Sequence, residues 1–305
     1  MKYDAVIEGS GVRGCAVVGA MEFIERQGFT PSHLAGTSSG AMLAALRVAG
    51  YTPKELRHML FSTDFTKFCD GDGFGRKLYN ILMHRGIYDG DIMQEFLADK
   101  LAAKGIYKFG DLLSDDTSDI KYKWRFRCIV ADVTKEKMVV FPDDANLYGI
   151  DPNELDVALA VRCSMSIPVF FKPKNINNSV MVDGGILSNY PINMWDSVGL
   201  PEWPTFGILL DDNGDEVVRG HIGRWPHDYF LALFETMMKA HDKRLIKPGD
   251  FKHRTIKVPV SGIKTTDFDL TWGQKLQLYY NGYTAAKNFL GGWSWEDYLE
   301  WCKER

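Results

Sequence analysis

Ala5-Val6-Ile7-Glu8-Gly9-Ser10-Gly11-Val12-Arg13-Gly14 and, further on, His33-Leu34-Ala35-Gly36-Thr37-Ser38-Ser39-Gly40 decide how this chain is read. In each stretch a short apolar strand runs into a glycine turn that opens a helix. The first helix spans about Gly14 to Gln27, with Ala16, Val17, Ala20, Phe23 and Ile24 on one stripe. The second, from Ser39 to about Val48, is rich in alanine and suits close packing behind a turn. Strand–helix–strand–helix at this spacing predicts a parallel sheet covered by helices.

Gly36-Thr37-Ser38-Ser39-Gly40 fits G-x-S-x-G, the strand-to-helix elbow that exposes a serine hydroxyl on a tight turn. Gly36 and Gly40 are the residues that let helix and strand approach there. Ser38 is the candidate nucleophile; Ser39 points into the helix start. The earlier turn offers backbone N–H groups at a helix N-terminus, where negative charge is favoured. Gly9, Ser10, Gly11, Val12, Arg13 and Gly14 therefore form a candidate oxyanion hole, and Arg13 adds charge there or makes a salt bridge. The same turn fits the dinucleotide fingerprint G-x-G-x-x-G. That fingerprint wants an acid closing the second strand, and here the strand closes on Leu34-Ala35-Gly36-Thr37. Acyl transfer is the first reading, and a non-enzymatic nucleotide- or lipid-binding module stays open beside it.

A serine nucleophile needs a base. The chain has His33, His58, His84, His221, His227, His241 and His253, and none after Ser38 sits in a Gly-rich loop following a strand. A histidine-triad esterase stays open on that count. Val180-Met181-Val182-Asp183 is a strand running into Gly184-Gly185, which places Asp183 at a carboxyl-end strand edge, where open α/β sheets bind ligands. Capping the turn would explain this Asp alone. With the elbow it becomes the candidate base of a Ser38–Asp183 dyad, its pKa raised by an apolar pocket.

Composition narrows the classes. The 305 residues are 45% hydrophobic and 25% charged, with net charge −4 and pI about 6.0. That is an ordinary core-forming composition and a poor one for binding nucleic acid. Cys15, Cys69, Cys128, Cys163 and Cys302 are scattered and odd in number, without metal-type spacing. They read as reduced thiols of a cytoplasmic protein, and no metal or cofactor is expected. No signal-peptide pattern opens the chain, and no apolar run reaches the ~18 residues of a spanning helix. Any membrane contact is expected to be peripheral. Oligomeric state is not legible.

Elsewhere, helices are expected over Asp91–Leu101, Glu154–Arg162, His227–Leu245 and Thr271–Leu290. Strands are expected over Trp124–Ala131, Met138–Phe141, Thr205–Leu210 and Thr255–Val258. Asp70-Gly71-Asp72-Gly73-Phe74-Gly75 lacks the calcium ligands of an EF-hand, since Phe74 and Ile81 occupy its fifth and twelfth positions. It reads as a loop that could act as a lid. Phe65, Phe68, Phe74, Phe170 and Phe171 are core residues or the lining of an acyl channel. Ser294 to Cys302 is a short capped helix whose polar face is acidic, which favours packing on the body over docking to anionic lipid.

Together, Glu8-Gly9-Ser10-Gly11-Val12-Arg13-Gly14, Gly36-Thr37-Ser38-Ser39-Gly40 and Asp183-Gly184-Gly185 resemble the oxyanion, nucleophile and base motifs of the patatin-like phospholipases. Arg162-Cys163-Ser164-Met165-Ser166-Ile167-Pro168 resembles the family's segment before the Asp strand. Gly86-Ile87-Tyr88-Asp89-Gly90 and Thr266-Asp267-Phe268-Asp269 are similar to its bacterial members. The resemblance implies an α/β fold, a three-layer α/β/α sandwich with a mainly parallel central sheet. It implies a catalytic domain over residues 1–290, with 291–305 an amphipathic C-terminal helix packed on it. It further implies a lipid or fatty acyl ester substrate, cleaved through an acyl-enzyme on Ser38 with Asp183 as base. The glycine turn departs from the family's usual DGGGxRG, carrying Glu8 and Ser10.

Overall fold

The computed structural model describes residues 1–70, 83–115, 119–196, 199–212, 229–230, 232–238 and 247–305. The chain enters through β1 (Lys2–Ile7), α1 (Gly14–Arg26), β2 (Thr30–Thr37), α2 (Ser39–Val48) and α3 (Pro53–Ser62). It continues through β3 (Gly86–Tyr88), α4 (Asp91–Ala102), β4 (Phe126–Asp132), β5 (Lys137–Phe141) and α5 (Val157–Ser164). Then follow β6 (Val169–Phe171), β7 (Lys174–Ile176), β8 (Ser179–Asp183), β9 (Thr205–Asp211), α6 (Pro248–His253), β10 (Thr255–Pro259), α7 (Trp272–Gly291) and α8 (Trp295–Glu304).

The central sheet runs β10-β9-β1-β2-β4-β8-β7, with β5 also on β4. The five strands from β10 to β4 are parallel; β5, β8 and β7 are added antiparallel. Both faces are buried, which is why β1 and β2 read as apolar runs. Tyr3, Ala5 and Ile7 face the α1 side, while Val6 faces a second cluster with Ala35, Tyr190, Ile192 and Trp195. The result is an α/β/α sandwich. On the first face α1 and α7 approach at small residues. A Cβ on Gly19 would stand 2.0 Å from the Tyr279 carbonyl oxygen, and one on Gly282 would stand 1.8 Å from that of Ala16.

One sequence expectation moves. The helix anticipated from Glu154 begins at Val157 instead, because the Asp156 side chain accepts the Leu159 N–H at 2.6 Å and caps it there. The stretch after Val48 contains a further helix, α3, not anticipated from the sequence. Thr52 and Glu55 close a reciprocal capping box on it, with Pro53 at its first position. The helix expected over His227–Leu245 is observed at 229–230 and 232–238; the rest of it lies outside the described residues. At the far end, α8 lies on the body. Tyr298 Oη accepts the Thr205 N–H at 3.0 Å, and the Trp301 ring covers Gly249.

β4 brings the site together. Its residues Cys128 and Ile129 pair with β2 on one edge and β5 on the other. At Val130 to Asp132, β5 continues on its own edge while β8 takes the edge that β2 has left. The strands therefore meet end to end: Thr37 lies opposite Ile129 and Asp183 opposite Val130.

Candidate active site

Ser38 sits at φ 55°, ψ −130°, a positive φ that a residue with a side chain rarely adopts. Its surroundings hold it there. A Cβ on Gly36 would lie 2.5 Å from the Gly40 backbone, and one on Gly40 would lie 2.5 Å from the carbonyl oxygens of Ile7 and Glu8. The elbow thus packs directly on the end of β1 and needs glycine at both positions. The Ser38 N–H donates to Ser164 Oγ (2.9 Å), and that hydroxyl donates to the Ile129 carbonyl (2.6 Å). Thr37 Oγ1 donates to the Ser188 carbonyl (2.9 Å), tying the elbow to the chain after the Asp-Gly-Gly turn.

Asp183 is fully buried. Its N–H donates to the Ser166 carbonyl (2.9 Å), and its Oδ1 accepts the Gly185 N–H (2.8 Å). Oδ2 is buried with no protein donor on it. Burial pushes the carboxyl up to about 7, against the pull of the Ser38 hydroxyl and the Gly185 N–H, both of which favour the charged form. The serine hydroxyl therefore acts on this carboxylate, though it closes no hydrogen bond of normal geometry to Oδ2. Loose contacts of this kind are common before substrate binds. Gly184 is required here too, since a Cβ on it would stand 2.4 Å from the Ile129 carbonyl oxygen, while one on Gly185 would press on the Met238 sulfur at 2.8 Å.

The glycine turn lies beside the elbow, and a Cβ on Gly9 would come within 3.2 Å of the Ser38 Cβ. Most of its N–H groups already have acceptors. Gly9 donates to the Asn189 carbonyl (3.1 Å), Val12 to the Thr265 carbonyl (3.1 Å) and Arg13 to the Ser10 carbonyl (3.1 Å). Ser10 donates through its N–H to Ser39 Oγ (3.0 Å), and the two hydroxyls share a further hydrogen bond of 2.7 Å. Ser39, expected to face only its own helix, thus joins the two turns. Ser10 has φ −115°, so serine in place of glycine brings no strain. Gly11 (φ +56°) heads the short 3-10 turn, so its N–H has no acceptor within that turn. Gly14 is the first residue of α1 and packs against Leu43. Arg13 turns away into an ion pair with Asp212 (2.9 Å), taking the salt-bridge role.

A cavity of about 40 Å³ adjoins Ser38, lined by Phe65, Phe68, Met93, Ile167, Phe171 and Phe268 among others. Of the five phenylalanines singled out in the sequence, three line it. Phe170 stacks on Phe268 behind it, with centroids 5.3 Å apart, and Phe74 lies outside the described residues. A larger cleft of about 1010 Å³ lies along α3 and α7, and its lining does not include Ser38 or Asp183. No described histidine lines the cavity at Ser38; His221, His227 and His241 lie outside the described residues. Cys15 and Cys163, on helices that build the site, are buried and pushed up to about 12, which removes them as thiolate nucleophiles. Among the described residues no cluster of His, Cys, Asp and Glu could hold a metal ion. Most of the Asp70–Gly75 loop is outside the described residues. Asp70 itself accepts the N–H groups of Gly90 (2.7 Å) and Asp91 (3.1 Å), capping α4.

Several of these roles were not assigned from sequence. Ser164 and Ser166 hold the backbone of the two candidate catalytic residues. Arg162, buried beside them, donates to the carbonyls of Asp89, Gly90 and Lys172. The signal was the Arg162–Pro168 segment, whose resemblance was visible before its purpose. Asn189 and Thr265 carried no signal of their own.

Comparison with known proteins agrees with this architecture. A family model described as patatin-like phospholipase matches residues 5–195. Over 304 residues the chain is 38% identical to the uncharacterized protein YqhO of Bacillus subtilis, covering 97% of this chain and 100% of that one. It is 25% identical over 199 residues to the probable lipid hydrolase 463L of Invertebrate iridescent virus 6, covering 62% of this chain and 61% of the viral protein. In fold it is similar to VipD from Legionella pneumophila, with TM-score 0.56 and 16% identity over 95% of this chain and 66% of VipD. It is also similar to ExoU of Pseudomonas aeruginosa, in its complex with SpcU, with TM-score 0.50 and 18% identity over 98% of this chain and 52% of that one. The chain spans just under two-thirds of VipD and about half of ExoU. The chain belongs to the patatin-like phospholipase family. At the level of that family it is a lipid-hydrolysing enzyme.

Proposed function

We propose that this protein hydrolyses fatty acyl esters of lipids, as a phospholipase A or lysophospholipase, through a Ser38–Asp183 dyad. Ser38 Oγ attacks the ester carbonyl carbon while Asp183 accepts its proton. The tetrahedral intermediate collapses, the alcohol leaves with that proton, and water then hydrolyses the acyl-enzyme. The observation that carries this reading is the end-to-end meeting of β2 and β8 on consecutive residues of β4. It sets a strained serine beside a buried carboxyl. A carboxyl at about 7 is ionised in part near neutrality, and it holds a proton more firmly than an ordinary Asp would.

The oxyanion is assigned to the glycine turn. Gly11 donates first, and Val12 joins once the Thr265 carbonyl withdraws. The cavity of about 40 Å³ beside Ser38 has to widen to admit an acyl chain. No helix among the described residues is long and apolar enough to cross a membrane.

Covalent labelling tests this. A fluorophosphonate should add once to the wild type by intact mass, not at all to Ser38→Ala, and far more slowly to Asp183→Asn. Labelling of Ser38→Ala at the wild-type rate would overturn the assignment.

A further inference from the structure

Two buried acceptors at the site have no protein donor: Asp183 Oδ2 and Asn189 Oδ1. Buried polar atoms are paired almost without exception, by protein or by water. An orphaned pair at one reaction centre therefore points to a ligand that donates twice. Both side chains border the Gly185 turn: Asn189 Oδ1 and Asp183 Oδ1, the oxygen that the Gly185 N–H already holds, each lie 3.1 Å from the point where a Gly185 side chain would begin. On its other flank, Asn189 Oδ1 lies 2.2 Å from the corresponding point at Gly9, and the Ser38 Cβ lies 3.2 Å from that same point. Asn189 thus stands between the glycine turn, the nucleophile and the base.

The orientation of its amide is fixed. Asn189 Nδ2 donates to Glu8 Oε1 (3.0 Å) and to the Gly9 carbonyl (3.3 Å), and the carbonyl can only accept. The NH₂ group must face them, so Oδ1 must face the other way, toward the Gly185 turn. Glu8 is fixed in turn, because its Oε2 accepts the Leu210 N–H (2.6 Å). Glu8, one of the two residues that depart from the family's usual turn, is the one that aims the amide.

Resting on the Ser38–Asp183 reading, we infer that Asn189 is a positioning residue for hydrolysis of the acyl-enzyme. It holds the attacking water jointly with Asp183, and Glu8 orients it. The water donates one O–H to Asp183 Oδ2 and the other to Asn189 Oδ1, which turns its lone pair toward the acyl carbon on Ser38. Its oxygen bonds to that carbon as Asp183 takes its proton. The intermediate then breaks its bond to Ser38 Oγ, the same proton passes from Asp183 to the serine oxygen, and the fatty acid leaves. Acylation needs no water, so Asn189 bears on the second half of the reaction.

The test uses p-nitrophenyl butyrate and intact mass on the full chain. Asn189→Ala should keep the rate of the first nitrophenolate release within a few-fold of wild type. Its steady-state turnover should fall at least 10-fold, with acyl-enzyme accumulating as a mass increase. Glu8→Gln, which disturbs the aim of the amide without touching Asn189, should show the same split more weakly. It decides the question if Asn189→Ala does not fold. Equal loss of burst rate and turnover, or no loss of either, overturns the inference while a wild type that acylates leaves the Ser38 reading intact. A wild type that never acylates overturns both.

Discussion

Near the start of β1, Asp4 Oδ1 accepts the His33 N–H (3.1 Å) and shares a second hydrogen bond with His33 Nδ1 (2.9 Å). At the end of β8, Asp183 has one backbone N–H on Oδ1 and none on Oδ2. Both carboxylates are buried on one sheet, and the Asp–His pair looks more like a catalytic relay than the Asp–Ser pair does. It lies at the wrong end. His33 is four residues before Thr37, roughly 13 Å back along the strand, boxed in by the rings of Tyr122, Trp195 and Trp203. A satisfied buried acid stabilises a fold. An acid left half satisfied at the carboxyl ends of parallel strands, beside a strained serine, is set up to take a proton.

The largest effect expected from this contrast is on turnover. Asp183→Asn should lower kcat/KM by about 10³-fold, within the span of a lost general base, while Asp4→Asn should leave it within a few-fold and lower Tm. A comparable loss of kcat/KM in Asp4→Asn would erase the distinction drawn here and revive the histidine reading.

The pH dependence comes next. Below about 7 Asp183 is protonated and cannot accept the serine proton, so kcat/KM should rise with pH along a limb centred near 7. A limb near 4, the ordinary range of an exposed carboxyl, would mean that burial does not govern this group. Stability should move the opposite way. The unfolded chain ionises this Asp from about 3.8, the native state only near 7, so ionisation costs stability as pH rises between the two. Asp183→Asn should therefore raise Tm at pH 8 by several degrees, a gain that vanishes toward pH 4.

Smaller changes sharpen the comparison. His33→Leu removes the side-chain partner of a buried carboxylate while keeping the backbone N–H, and should cost about 1–3 kcal/mol of stability with little change in kcat, measured by urea unfolding and esterase assay. Ser164→Ala should do something different. It frees the Ser38 N–H from its side-chain acceptor, for about 1 kcal/mol, and should slow fluorophosphonate labelling several-fold. If Ser164→Ala changes stability alone, the Ser164 bridge does not set the pose of the nucleophile.

The two halves of the site were not equally legible. Residues 5–48 read almost directly, because the two turns are local. Glycine at positions 36 and 40 follows from steric contacts within one strand–turn–helix and the strand beside it. Asp183 could be singled out from its strand and its glycine pair, while its partners could not. Ser164 reaches Ser38 across 126 positions and Asn189 reaches Glu8 across 181, separations over which no periodicity carries information. The Thr52–Glu55 box and Pro53 are local signals as well, yet the helix they begin was not read from the sequence.

By itself, then, the sequence determined the alternation of strands and helices, the elbow, and the acid at a strand end. All of these depend on residues within a few positions of one another. Only the tertiary structure decided that β8 takes over the edge of β4 where β2 ends, which puts Asp183 beside Ser38. Only the tertiary structure decided that the Thr265 carbonyl holds the Val12 N–H and that the Asn189 amide is locked by Glu8. Those outcomes depend on strand pairing and burial between distant segments. The free energy of such pairings belongs to the assembled core and is not carried by any single stretch of the chain.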